Sequence, residues 1–189
     1  MCYSLYAGGD SMPEASNDMR LLKYYYMCLL HEASKFVIML FIFSRFHAGT
    51  EYLVAALTLC MLRHNMGGIH FRQYWSCFGF SLFFLASVIA MAEFCQVNLP
   101  VQIITISLCI LMTFLTGPVQ SGTRPAMDKK QFMRYRNNAC VIMAVCMVLF
   151  ICMKSFTYRD LIYWVIVFQT LQLIVAKIYE RRKKNETLQ

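Results

Sequence analysis

Apolar residues in this chain come in long runs broken by short polar stretches. Runs occupy residues 36–44, 52–62, 78–95, 101–117, 140–153 and 161–178. The last four are the clearer spanning helices. Ahead of them, residues 19–35 (MRLLKYYYMCLLHEASK) mix apolar and charged positions. Leu22, Tyr26, Leu29 and Leu30 can share one helical face there, which predicts an amphipathic helix on the membrane surface; the competing reading is the polar start of the first span.

The first two runs are shorter than a usual span, and RFHAGTE (45–51) separates them. Either two short helices turn at 47–50, or one long helix carries Arg45 and Glu51 inside it. Charges inside lipid are expensive, so the pattern favours the pair. The predicted fold is an all-α polytopic membrane protein of about six transmembrane helices, the first two short, preceded by the interfacial helix. The expected divisions are a mobile tail over 1–18, the interfacial helix over 19–35, an integral membrane domain over 36–180 and a basic tail over 181–189. The opening residues have neither a basic start nor an apolar core, so they read as a tail rather than a signal peptide.

Composition agrees with that fold. The chain has 189 residues, 59% of them hydrophobic and 15% charged, with a mean hydropathy of +0.50. A soluble domain of this size cannot hide so much apolar surface. The net charge of +8 falls in clusters between apolar runs, which encodes topology rather than nucleic-acid binding. With the N-terminus in the cytoplasm and six alternating spans, only Arg45, Lys154 and Arg159 of the 18 Lys and Arg lie in outside turns. That bias predicts both termini, and residues 63–77, on the cytoplasmic side. The nine cysteines form no CxxC pair and most lie within apolar runs, so neither a disulfide framework nor a metal site is expected. No cofactor is expected either.

Candidate chemistry concentrates in RHNMGGIHFRQYWSC, residues 63–77. Gly67 and Gly68 can break the second helix. Cys77 falls near the start of the third, with Ser76 a candidate N-cap. A cysteine in a helix's first turn feels the positive end of the dipole, and nearby cations add to this, favouring thiolate. Arg63, Arg72 and a protonated His70 are candidate cations. A cysteine and a histidine in reach of each other make the minimal nucleophile and base for acyl transfer. On one unbroken helix, residues 70 and 77 would be about 10 Å apart along the axis, so the pair requires the chain to bend between them. Spacing alone does not choose His70 over His64, and a packing cysteine beside a solvated histidine stays as the alternative. Asn65, Gln73, Gln120, Ser121 and Asp128 are open as a third residue to orient the base.

Arg63, the glycine pair, His70 and Cys77, in this order and spacing, resemble the core motif of the accessory gene regulator B (AgrB) family of bacterial membrane cysteine endopeptidases. Chain length and the six apolar segments are similar as well. So are Gly117, Pro118 and Val119 at the end of the fourth run and the basic loop holding Lys129 and Lys130. The resemblance implies a cytoplasm-facing enzyme of the bacterial cell membrane that cuts a short amphipathic AgrD-type propeptide on its C-terminal side. Cys77 would be the nucleophile and His70 the base. Arg63, Gly67 and Gly68 would support the site, and Lys129 and Lys130 would attract the substrate. A peptide thioester on Cys77 would then close to a thiolactone or lactone, the precursor of a quorum-sensing signal. Substrate and lipid are the implied partners, with room for a homodimer. A small peptide transporter or exporter, or a non-enzymatic membrane scaffold, is the competing reading. A transporter would be expected to carry ionisable groups at mid-span, which the later runs lack.

Overall fold

The computed structural model describes residues 14–67, 73–119, 128–152 and 157–186, with the side chains of 14–25, 27–29, 31 and 183–186 left aside. Among the described residues there are six helices and no strand. They are α1 (Glu14–Arg45), α2 (Gly49–Met66), α3 (Tyr74–Phe94), α4 (Leu99–Thr116), α5 (Lys129–Cys152) and α6 (Arg159–Glu186). By length and composition four of them can cross a membrane: α3, α4, α5 and α6 as far as Arg182. The first two helices are not in that set. α1 is apolar only in its second half, and α2 carries Glu51 in its first turn and Arg63 and His64 in its last.

Several boundaries differ from the sequence reading. The expected interfacial segment and the first apolar run form one continuous helix, α1, because no glycine or proline interrupts 14–45. α5 begins at Lys129, well before its apolar run, so Lys129 and Lys130 occupy a helix's first turn rather than a loop. α6 likewise runs on through the basic cluster to Glu186.

The chain divides into two compact units, residues 1–49 with 71–82, and residues 50–70 with 83–189. In the first, α1 ends in a Schellman turn: the Ala48 N–H donates to Phe43 O (3.0 Å) and the His47 N–H to Ser44 O (3.2 Å). His47 takes the left-handed conformation this motif needs, with φ 59°. The break at 45–51 is therefore two helices and a tight turn. Met39 and Phe43 are the buried apolar side chains of α1.

In the second unit α4 packs against both α5 and α6. α6 is the most buried of the four long helices: 56% of its apolar window is buried, against 17–22% for the other three. The helices are apolar outward. On α4, Val101, Ile104, Leu108, Leu111 and Leu115 are exposed, whereas the buried set is Gln102, Ile106, Cys109 and Thr113. Steps of three and four put the exposed residues on one face. An outer face greasier than the inner one is stable only in lipid, where polar groups are better satisfied between helices. Gln102, Gln169 and Gln172 do reach across to other segments. Gln102 donates to Val97 O (2.9 Å) and to the Asp160 carboxylate, at the end where Trp164 Nε1 donates to Cys95 O (3.2 Å).

Candidate functional site

The glycine motif sits at the C-terminal end of α2. Gly67 has φ 74°, a backbone that a side chain resists, and its N–H closes the helix onto Arg63 O (2.8 Å). A Cβ at Gly67 would come within 2.7 Å of Val119 O. That close approach exists because the Val119 N–H donates to Met66 O (3.0 Å), laying the stretch from Gly117 to Val119 across the helix end. Gly117 is itself required: its φ is 66°, and a Cβ there would strike the Phe132 ring of α5. Met66, Ala139 and Leu173, with Val119, close the apolar floor beneath.

α6 supplies the polar contacts to this corner. Arg63 Nη2 donates to Gln172 Oε1 (3.0 Å), and its guanidinium lies 5.8 Å from the centre of the Phe84 ring. Gln169 Nε2 donates to Gly67 O (3.2 Å). Both glutamines are buried, and Gln169 Oε1 and Gln172 Nε2 have no hydrogen-bond partner among the described residues. Arg63 and Gly67 thus lie where α2 ends, held by one turn of α6. No local pattern in the sequence ties these two glutamines, three apart on α6, to the glycine motif they hold.

In the first unit, Cys77 lies in the first turn of α3, with its own N–H bonded to Gln73 O (3.1 Å). Ser76 is inside the helix, not its cap. α3 begins at Tyr74, so the cap position falls to Gln73, whose Oε1 accepts from Ser76 Oγ (3.3 Å). The cation touching Cys77, among the described residues, is Lys35 of α1: its Nζ is 3.4 Å from Sγ. Lys35 also donates to Glu32 Oε1 (2.8 Å) and sits 5.4 Å from the centre of the Tyr74 ring, while the Ser34 and Tyr74 hydroxyls are 3.1 Å apart. Burial opposes the Lys35 charge, but the bond to Glu32 and its charge, then the Cys77 sulfur, outweigh it, so Lys35 titrates above the usual lysine range. Lys35 was not among the cations expected from sequence. The only signal for it was a lone lysine at the polar edge of an apolar run.

Gly68, His70 and Arg72 lie outside the described residues, as do Gln120 and Ser121. Of the other proposed orienting groups, Asn65 Nδ2 donates to Met61 O (2.9 Å) within its own helix, and Asp128 stands before α5 with its carbonyl accepting from the Phe132 N–H (2.9 Å). Lys129 and Lys130 are exposed, in a first turn without an acidic residue. Two cations there oppose the helix dipole, so helix stability does not account for them.

Together the outward apolar faces, the four long helices and the polar corner at one end of α2 define an all-helical, polytopic membrane protein. The profile of the accessory gene regulator B family matches residues 8–173, and the chain belongs to that family. It is similar to an AgrB-like protein of Clostridium beijerinckii, 26% identical over 127 residues, which cover 67% of this chain and 64% of that relative. The chain therefore spans less than two thirds of the length of that curated relative. No solved structure matches it significantly.

Proposed function

We propose that this protein is a membrane-embedded cysteine endopeptidase that matures a quorum-sensing propeptide of the AgrD type. The observation that carries this reading is the family match over residues 8–173, which includes the whole motif from Arg63 to Cys77. The structure supports it by giving Cys77 a first-turn position on α3 and a cationic neighbour.

In this reading the Cys77 thiolate attacks the scissile carbonyl carbon, a C–S bond forms and the C–N bond breaks. His70 takes the thiol proton and passes it to the leaving amine. A cysteine thiol or serine hydroxyl within the bound peptide then attacks the thioester, losing its proton to His70. A ring C–S or C–O bond forms and Cys77 leaves as thiolate, reprotonated by His70. Arg63 and Gly67 keep the end of α2 in place. Lys129 and Lys130 meet an acidic peptide segment at the inner face of the membrane, with both termini on the same side. Excluding water protects the thioester until the ring closes.

The test is cleavage of a synthetic AgrD-type propeptide, followed by mass spectrometry, with protein reconstituted in nanodiscs. Wild type releases the C-terminal fragment and a cyclic product lighter than the linear one by one water, whereas Cys77→Ala and His70→Ala release neither. Cleavage that survives Cys77→Ala refutes the reading.

A further inference from the structure

Lys35 is unusual for its setting. It is 8% exposed, in a helix that is apolar from the next residue onward. Hiding an ammonium is costly unless its donors are satisfied. Glu32 satisfies one, but Glu32 is itself 70% exposed. That pair could form with the lysine head in water and would then contribute little. The head instead turns inward, between the Tyr74 ring and Cys77 Sγ. A sulfur that carries negative charge during its chemistry gives that buried ammonium a use.

We propose that Lys35 is the positioning residue of Cys77: its ammonium holds the sulfur toward α1 and favours the charge the sulfur carries when it attacks, while Glu32 and the Tyr74 ring keep the ammonium in place. This deepens the peptidase reading and rests on Cys77 being its nucleophile. The titratable and charged groups facing the pair, among the described residues, are Glu32 from α1 and Tyr74 from α3.

The experiment is alkylation of the full-length protein in nanodiscs by iodoacetamide, followed cysteine by cysteine by mass spectrometry across the pH range in which free thiols ionise. Cys95, exposed just past the end of α3, serves as the internal reference. Relative to it, K35M slows Cys77 alkylation at neutral pH by about tenfold, and the gap closes in alkali. K35R, which keeps the charge, stays within about threefold of wild type. E32Q changes the rate the other way, because it removes the anion that partly neutralises Lys35. A lysine that only packs predicts no pH-dependent change in K35M, or K35R as slow as K35M; either result overturns the proposal. If K35M does not fold, E32Q decides: faster alkylation supports the pair, and unchanged or slower alkylation overturns it. Alkylation needs no propeptide, so the two readings fail separately. A responsive Cys77 in a protein that cleaves nothing keeps the Lys35 contact and removes the peptidase. Cleavage by K35M with unchanged alkylation does the reverse.

Discussion

Gly67 meets two independent demands, a positive φ and a carbonyl where its Cβ would be. Alanine answers neither. Gly67→Ala should cost about 1–3 kcal/mol from backbone strain alone, and Val119 must also withdraw. The expected outcome is a lower unfolding temperature in nanodiscs together with loss of propeptide processing; a variant as stable and active as wild type would refute this account of the corner. The break at Gly67 was legible because few other residues tolerate that backbone. The carbonyl facing it was not, since Val119 comes from another segment and no local pattern ties the two. Lys35 was missed for a similar reason. Its partner is 42 residues away in the chain, and sequence spacing carries no information at that range.

At the scale of elements, α6 organises its unit by placing polar groups where other segments end. Gln172 and Gln169 serve the end of α2, and Gln102 of α4 meets Asp160 at the start of α6. Q172L and Q102L should each lose about 1–2 kcal/mol of stability, measured by denaturant or detergent unfolding. Their activities should differ: Q172L lowers processing per folded molecule because the bond between Arg63 and Gln172 is lost, while Q102L leaves it near wild type. Equal losses from both would mean that the corner has no special part in processing. The apolar runs located α3 to α6 well because a long run of lipid-facing residues is a strong signal. Helix starts were less legible. α3 begins at Tyr74 and α5 at Lys129, in polar sequence where helix propensity continues without an apolar stripe to mark it.

For the molecule as a whole, basic and aromatic side chains of α2, α4 and α5 meet in the second unit: His64 of α2 packs edge-on to Tyr135 of α5 at 6.4 Å, and Arg136 of α5 lies 4.0 Å from the centre of the Phe114 ring of α4. Lys129 and Lys130 are exposed in the first turn of α5. Reversing both charges (K129E with K130E) should raise KM for the propeptide by about tenfold with kcat nearly unchanged, and added salt should narrow the gap. A fall in kcat at constant KM would place these lysines in the chemistry instead. The central claim is that Cys77 forms a covalent bond to its substrate. Its most direct test is intact-mass spectrometry of nanodisc-embedded protein quenched in acid during reaction with a synthetic AgrD-type propeptide. The account predicts an adduct of the N-terminal fragment that maps to Cys77, is released by hydroxylamine and is absent in Cys77→Ala. Folded wild-type protein that processes the peptide with no adduct, or an adduct on another cysteine, would contradict it.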